Sequence, residues 1–259
     1  MKRLLFYLSV VSFSILLGFI LSMMKPKMIP KLLSVNTEYA WVGDGKSFGS
    51  IMLYINDLDH VLADENHYVR ILIGDETKDN FLEVSLYDLE LGHTEYYLSE
   101  VFSRLLYTIS LPEISEDIIF DHAYLHLELM QQESLSIYLG RISLFSTHHH
   151  EDLITWTSLE GFKKPNVLRS RIAEIHVMIE GDGSTLTSID IGTQANTTFR
   201  IDENMLIISV SDAPYLLYDV PLIFTYLDGR KQVIHSFRYI TDYIILKESG
   251  PWIHTYELY

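Results

Sequence analysis

Three consecutive histidines, His148, His149 and His150, are followed directly by Glu151 and Asp152. Neutral imidazole is a good ligand for zinc, nickel or copper. Adjacent side chains point in different directions, so this run chelates a metal only if its loop folds back on itself; otherwise it is a solvated connector. Asp57, Asp59, Asp64 and Glu65 crowd a second segment, and Asp75, Glu76 and Asp79 a third. Clustered carboxylates on loops are the hard oxygen donors that calcium takes. Val61 and Leu62, however, stand where a helix–loop–helix calcium site has a ligand and a glycine. Solvated acidic loops are the simpler account. His122 and His126 would share a face on a helix, but on a strand they lie roughly 13 Å apart, too far to hold one ion.

Other chemical patterns are incomplete. Ala40-Trp41-Val42-Gly43-Asp44-Gly45-Lys46-Ser47 fits a relaxed phosphate-loop spacing. That chemistry needs a strand before the loop and a helix after it, so that backbone N–H groups face the phosphates. Here Phe48–Ile55 reads as a strand and Asp44 would repel phosphate, so the segment is expected to be a hairpin turn, with no nucleotide bound. No serine lies in a Gly-x-Ser-x-Gly elbow. Paired carboxylates for glycoside cleavage are a property of the fold and cannot be assigned among 35 acidic residues. The 17 Tyr and 3 Trp suit sugar stacking, yet aromatic residues also fill sandwich cores.

Composition narrows the class further. The 259 residues include no cysteine, which excludes disulfides, thiolate metal sites and a cysteine nucleophile. The net charge of -16 argues against nucleic-acid backbones as partners, since those need clustered Lys and Arg. That charge is unevenly placed. Residues 1–31 hold five basic and no acidic side chains, whereas residues 32–146 hold 5 basic and 20 acidic ones, and residues 147–259 hold 9 and 15. A basic foot precedes an acidic body; its first domain, repelled by anionic lipid headgroups, is expected to stand off the membrane or to meet cations or a basic partner there.

The foot contains the strongest single signal. Leu4 to Met24 carries no charge and is dominated by Leu, Ile, Val and Phe. As a helix it would rise roughly 31 Å, enough to cross a hydrocarbon core. A cleaved signal peptide has a shorter apolar region and a small-x-small site, which Leu21-Ser22-Met23-Met24 does not offer. An uncleaved transmembrane signal-anchor is expected. Lys2 and Arg3 before it nearly balance Lys25, Lys27 and Lys31 after it, so the charge rule alone leaves orientation open. The terminal position of the span and the acidic, thiol-free body favour an extracytoplasmic body.

Beyond residue 31 the pattern becomes short runs with period two. Expected strands are Glu38–Val42, Ser50–Ile55, Tyr68–Ile73, Phe81–Tyr87, Leu105–Leu111, Ala123–Met130 and Ser134–Phe145. Ala123, Leu125, Leu127 and Leu129 alternate with His122, Tyr124, His126 and Glu128, as one wet face of an antiparallel sheet requires. Thr94–Arg104 reads as a short helix. A second series comprises Ile172–Ile179, Leu186–Ile191, Thr197–Ile201, Met205–Val210, Leu222–Tyr226, Gln232–Tyr239 and Tyr243–Lys247, with Asp228-Gly229 as a tight turn.

The expected architecture is mainly β: an N-terminal transmembrane helix followed by two antiparallel, immunoglobulin-like β-sandwich domains. The expected divisions are 1–31 as cytoplasmic tip, anchor and basic flank, 32–146 as an acidic first domain, 147–170 as a connector and 171–259 as a second domain. One continuous sandwich or barrel is the rival arrangement. The functional expectation is a non-enzymatic interaction or accessory module of a membrane or envelope assembly, held to the membrane by residues 4–24 and meeting a protein partner. The alternatives are a surface carbohydrate-active or hydrolytic enzyme and a metal or ligand sensor.

Overall fold

Short apolar alternations punctuated by turn residues become strands along nearly all of the chain. The computed structural model describes residues 14, 29–130, 134–146, 153–163, 172–180, 183–194, 197–210, 216–217, 220–237 and 245–258. The strands are β1 (Lys31–Val35), β2 (Thr37–Val42), β3 (Phe48–Ile55), β4 (Tyr68–Gly74), β5 (Phe81–Tyr97), β6 (Glu100–Ser110), β7 (Ile118–Leu129) and β8 (Ser134–Phe145). They continue with β9 (Thr155–Lys163), β10 (Ile172–Glu180), β11 (Leu186–Ile191), β12 (Phe199–Asp202), β13 (Met205–Ser209), β14 (Leu216–Leu217), β15 (Val220–Tyr226) and β16 (Lys231–Phe237). A short helix α1 (Ile245–Ser249) and a last strand β17 (Ile253–Glu257) follow.

Ten strands pair in the order β14-β2-β8-β7-β4-β5-β6-β3-β1-β17. Strand β5 carries the sheet around a corner, because Phe81–Val84 pair with β4 and Ser85–Tyr97 pair with β6. The two halves then enclose one core, with Leu53 and Tyr107 from one side and Leu125 and Leu139 from the other, all fully buried. Each such Leu contributes roughly 1.5–3 kcal/mol by leaving water. Polar bonds close the far seam: the Ser34 hydroxyl donates to the Tyr138 carbonyl (2.6 Å), and the Tyr138 N–H donates to the Tyr256 hydroxyl oxygen (2.8 Å).

This first unit has two distinct ends. The near end gathers Lys31, Ile55, the β5–β6 turn, Leu129 and Glu257, through the pairs Lys31–Glu257, Leu32–Ile55, Ile55–Ser103 and Tyr68–Leu129. The far end gathers Val42, Gly74, Phe81, Ile118 and Phe145, through Val42–Phe145, Gly74–Phe81 and Ile118–Leu144.

The second unit has a four-stranded sheet, β12-β13-β10-β9, and a three-stranded sheet, β11-β15-β16. Ile175, Val177, Ile189, Leu206, Ile208, Leu222 and Phe224 fill the space between them. Strand β2 belongs to both units. Its Tyr39 and Trp41 enter the first core, its Ala40 enters the second, and Val42 meets Ile223 and Val233. Glu38 on the same face accepts from the Thr193 N–H (2.8 Å) and hydroxyl. All six β2 residues are therefore buried.

Several expectations change. Thr94–Arg104 is part of the β5–β6 hairpin, not a helix, with Leu98 and Ser99 at φ 47° and 69°, the pair of positive angles that a two-residue type I′ turn needs. Neither residue is one that announces such a turn. Thr155–Lys163, inside the expected connector, is β9 paired with β10. As an edge strand it is exposed along almost its whole length, so it shows no alternation. Ile245–Lys247, expected as strand, is in α1, and β17 pairs with β1 in place of joining the second sheet set. Gly229 does take φ 83° in the Asp228-Gly229 turn. The anchor segment 4–24 lies, apart from Ser14, outside the described residues, and among those residues no helix is long and apolar enough to cross a membrane.

Candidate functional site

At the far end, the turn between β4 and β5 folds over the sheet and builds one wall of a groove. Asp75 organises it. One Asp75 oxygen accepts from the Asp79 N–H (3.0 Å); the other accepts from the Asn80 N–H (3.1 Å) and side-chain amide (3.0 Å). The Thr77 hydroxyl bridges the Asp75 and Asp79 carboxylates, 3.2 Å from one and 2.7 Å from the other. A short acidic side chain here folds back on the backbone of its own turn, four and five residues on, and competes there with regular pairing. Partial desolvation pushes the Asp75 carboxyl up, but the Asn80, Asp79 and Thr77 donors outweigh it and hold the group below its ordinary range.

A buried histidine locks the turn in place. His126 lies on the β7 face expected to be wet, yet it is fully buried. Its Nε2 stands 2.8 Å from the Asp75 carbonyl and its Nδ1 2.8 Å from the Ser136 hydroxyl. A carbonyl only accepts, so Nε2 carries the proton and, in the neutral ring, Nδ1 accepts from Ser136. The turn covers His126 by folding across β7, which no strand periodicity encodes.

The opposite wall is the start of β7. A bulge between Phe120 and Ala123 breaks the alternation, so Asp121 and His122 both face solvent. The resulting groove of about 710 Å³ is lined by Asp75, Asp79, Asn80, Phe81, Ile118–Phe120, Asp121 and His122. Phe81 and Ile119 are each roughly half exposed, and Arg70 stands over the Phe81 ring at 5.5 Å. Arg141 Nη2 pairs with Asp121 at 3.0 Å. Beside the groove runs a ladder of rings: Tyr124 meets Tyr138 edge-on at 5.2 Å, and Tyr138 meets His254 at 5.0 Å. Burial raises the Tyr124 phenol and lowers the His254 imidazole. The arrangement offers carboxylate acceptors next to flat apolar surface, which suits a cationic or hydrogen-bond-donating ligand with an apolar flank.

The residues singled out from the sequence are placed differently. Asp57 accepts from the Asp59 N–H at 3.1 Å. Asp64 caps a single 3₁₀ turn, accepting from the Asn66 N–H and side-chain amide, and lies 3.0 Å from His67 Nδ1. These carboxylates serve local turns at the near end. Among the described residues no three His, Asp or Glu side chains group so as to hold a metal ion, calcium included. His148, His149 and His150 lie outside the described residues. The Gly43–Ser47 segment is a turn. Burial raises the Asp44 carboxyl, but the N–H groups of Lys46 and Ser47 and the Ser47 hydroxyl lower it further.

The sequence reading registered the Asp75–Asp79 crowding but not Asn80, Phe81 or Ile118–His122 as its neighbours. The local signal was the run of Asp, Thr and Asn between two strands, residue types whose side chains bond nearby backbone in turns.

No family model matches the chain, and no curated protein does. Among solved structures, a Bacteroides ovatus protein of a mixed-linkage glucan utilization locus, in complex with a heptasaccharide, aligns at 13% identity and a TM-score of 0.23. The alignment covers 76% of this chain, and this chain spans 41% of that one. The sialic-acid-binding region of a Streptococcus sanguinis adhesin aligns at 9% identity and a TM-score of 0.20, covering 80% of this chain and 76% of the other. The major pilin subunit of Bacillus cereus aligns at 11% identity and a TM-score of 0.19, covering 82% and 64%.

Proposed function

We propose that this chain is a membrane-anchored, extracytoplasmic and non-enzymatic binding or accessory module, which presents its acidic groove to a basic segment of a protein partner. The observation that carries this reading is the placing of the groove. It opens at the end of the first unit opposite Lys31, so a body anchored through residues 4–24 would present it away from the membrane. The strand count of the second unit, four plus three, suits an immunoglobulin-like sandwich, used here as a support that shares β2 with the first.

The electrostatics favour holding a cation. The Asp75 carboxyl of the groove wall is held below its ordinary range by the donors of its turn, and so stays charged at neutral pH. Asp75 has its lone pairs engaged by the turn it organises; Asp79, with one bond from Thr77, and the exposed Asp121, with one from Arg141, keep acceptor capacity to face a ligand.

Two measurements test the reading. Reporters fused to the C-terminus establish the side of the membrane; a cytoplasmic signal removes the extracytoplasmic half. The full chain in phosphatidylcholine nanodiscs is then titrated with a short peptide of alternating Lys and Phe. Binding should weaken with salt, as exposed charge pairs do, and fall about tenfold in the double variant Asp79→Asn, Asp121→Asn, a loss of 1.4 kcal/mol. Equal binding by that variant dismisses the groove as the docking site.

A further inference from the structure

The near end of the first unit has the opposite surface chemistry, and nothing so far accounts for it. The β5–β6 hairpin extends past its neighbour: Ile55, the last residue of β3, pairs with Ser103, so Val101, Glu100 and the turn run on beyond the sheet by roughly 10 Å at strand rise. This free tip is apolar. Leu98 is 80% exposed and Tyr96 is 72% exposed, and Tyr96 is paired directly with Val101, 44% exposed, on one outward face. Around the same end stand Ile29, Leu58 and Met130, all exposed. An exposed Leu or Tyr by itself needs no explanation, but a projecting cluster of them does.

The chain path indicates what covers it. Lys31 Nζ bonds to Glu100 at 2.5 Å; the Asn56 side-chain amide donates both to Glu100 and to the Ile29 carbonyl, at 3.2 Å each. The polypeptide therefore enters the structure beside the hairpin tip. Met24, the last residue of the uncharged stretch, is five residues before Ile29, so an extended chain separates them by at most about 18 Å. If residues 4–24 span a bilayer, this end of the first unit cannot be far from its surface; Tyr is an interfacial side chain, and an exposed Leu sinks to the headgroup–acyl boundary.

We infer that the β5–β6 hairpin tip, Tyr96, Leu98 and Val101, with Ile29, Leu58 and Met130 around it, docks into the interfacial layer of the bilayer that residues 4–24 enter, and so fixes the body upright on the membrane. The contact is apolar. Lys31 offsets Glu100, and Asp57, Asp59 and Glu257 at the same end are acidic, so the tip's own contact is apolar and the surface it fits is zwitterionic lipid, any pull on anionic headgroups being left to Lys25 and Lys27. This inference rests on the anchor reading of residues 4–24 and adds a second attachment to it.

The absence of cysteine allows single-site labelling of the otherwise unaltered chain. Leu98→Cys carries an environment-sensitive fluorophore, with Tyr87→Cys and Leu227→Cys as exposed controls away from this end, each reconstituted in phosphatidylcholine vesicles with and without doxyl-labelled lipid. The label at position 98 should shift to the blue and lose emission to doxyl lipid, while positions 87 and 227 stay unchanged. Vesicle flotation of the same samples reads the anchor separately. Protein that floats while position 98 stays aqueous overturns the docking and leaves the anchor standing; protein that does not float overturns both. A blue shift that doxyl lipid does not quench, and that grows with protein density, assigns the tip to a second copy of the chain and also overturns the inference.

Discussion

The two ends of the first unit are built by opposite means. At the far end, polar side chains are spent on each other: Asp75 binds its own turn, His126 pins that turn to the sheet, and Arg141 holds Asp121. The result is a shaped acidic groove. At the near end, charged groups also make local bonds, as Asp64 and Glu100 do, but the projecting surface is left to Tyr96, Leu98 and Val101. An end organised by directional bonds presents a defined recess, whereas an end left apolar presents a patch that suits a fluid or adaptable surface. Substitutions should therefore cost stability at the far end and almost none at the near end.

The sharpest break in that contrast is His126→Ala. It leaves the Asp75 carbonyl and the Ser136 hydroxyl without their buried partner and opens a cavity, so denaturant unfolding should show a loss of about 2–4 kcal/mol. Gly74→Ala comes next. A Cβ there would collide with the Asn80 carbonyl and with Phe81, so the turn must shift, at about 1–3 kcal/mol, read as a lowered melting temperature with groove binding lost.

The acid response of Asp75 is smaller and local. Its folded pKa lies below the ordinary value of 3.8. Its contribution is thus complete above about that pH and disappears as the pH falls from there through the folded pKa. Amide hydrogen exchange at Asp79 and Asn80 should accelerate relative to the core over that window. In Asp75→Asn the acceleration should vanish, the turn being loosened at every pH; an unchanged profile would mean another group controls it. The smallest effect belongs to the near end. Leu98→Asp should alter stability by no more than about 0.5 kcal/mol; a larger loss would show that the tip packs against the fold and is not free to dock.

Much of the β architecture was legible because burial imposes period two. Ala123, Leu125, Leu127 and Leu129 point inward as their alternation requires, and the Asp228-Gly229 turn lies where its glycine allows. The failures have separate local causes. Strand β9 has no buried face to generate a pattern, and the Leu98-Ser99 turn is held in positive φ by the pairing on either side of it without a turn-forming residue, so neither leaves a local signal. The groove was half legible: its acidic turn is continuous in sequence, but its second wall lies some forty residues further on, and its histidine looked like any outward residue of a half-wet strand.

By itself, the amino-acid sequence determined the excess of acid over base, the absence of thiol chemistry, the uncharged stretch before residue 25 and the predominance of strands, because these follow from residue type and short-range period. Only the tertiary structure decided that β17 returns to β1, that β2 serves two cores, that His126 is covered, and that the projecting apolar hairpin tip and the acidic groove lie at opposite ends. Those outcomes depend on which segments pair across long stretches of chain, and pairing energy is set by burial between distant residues, which no local pattern records.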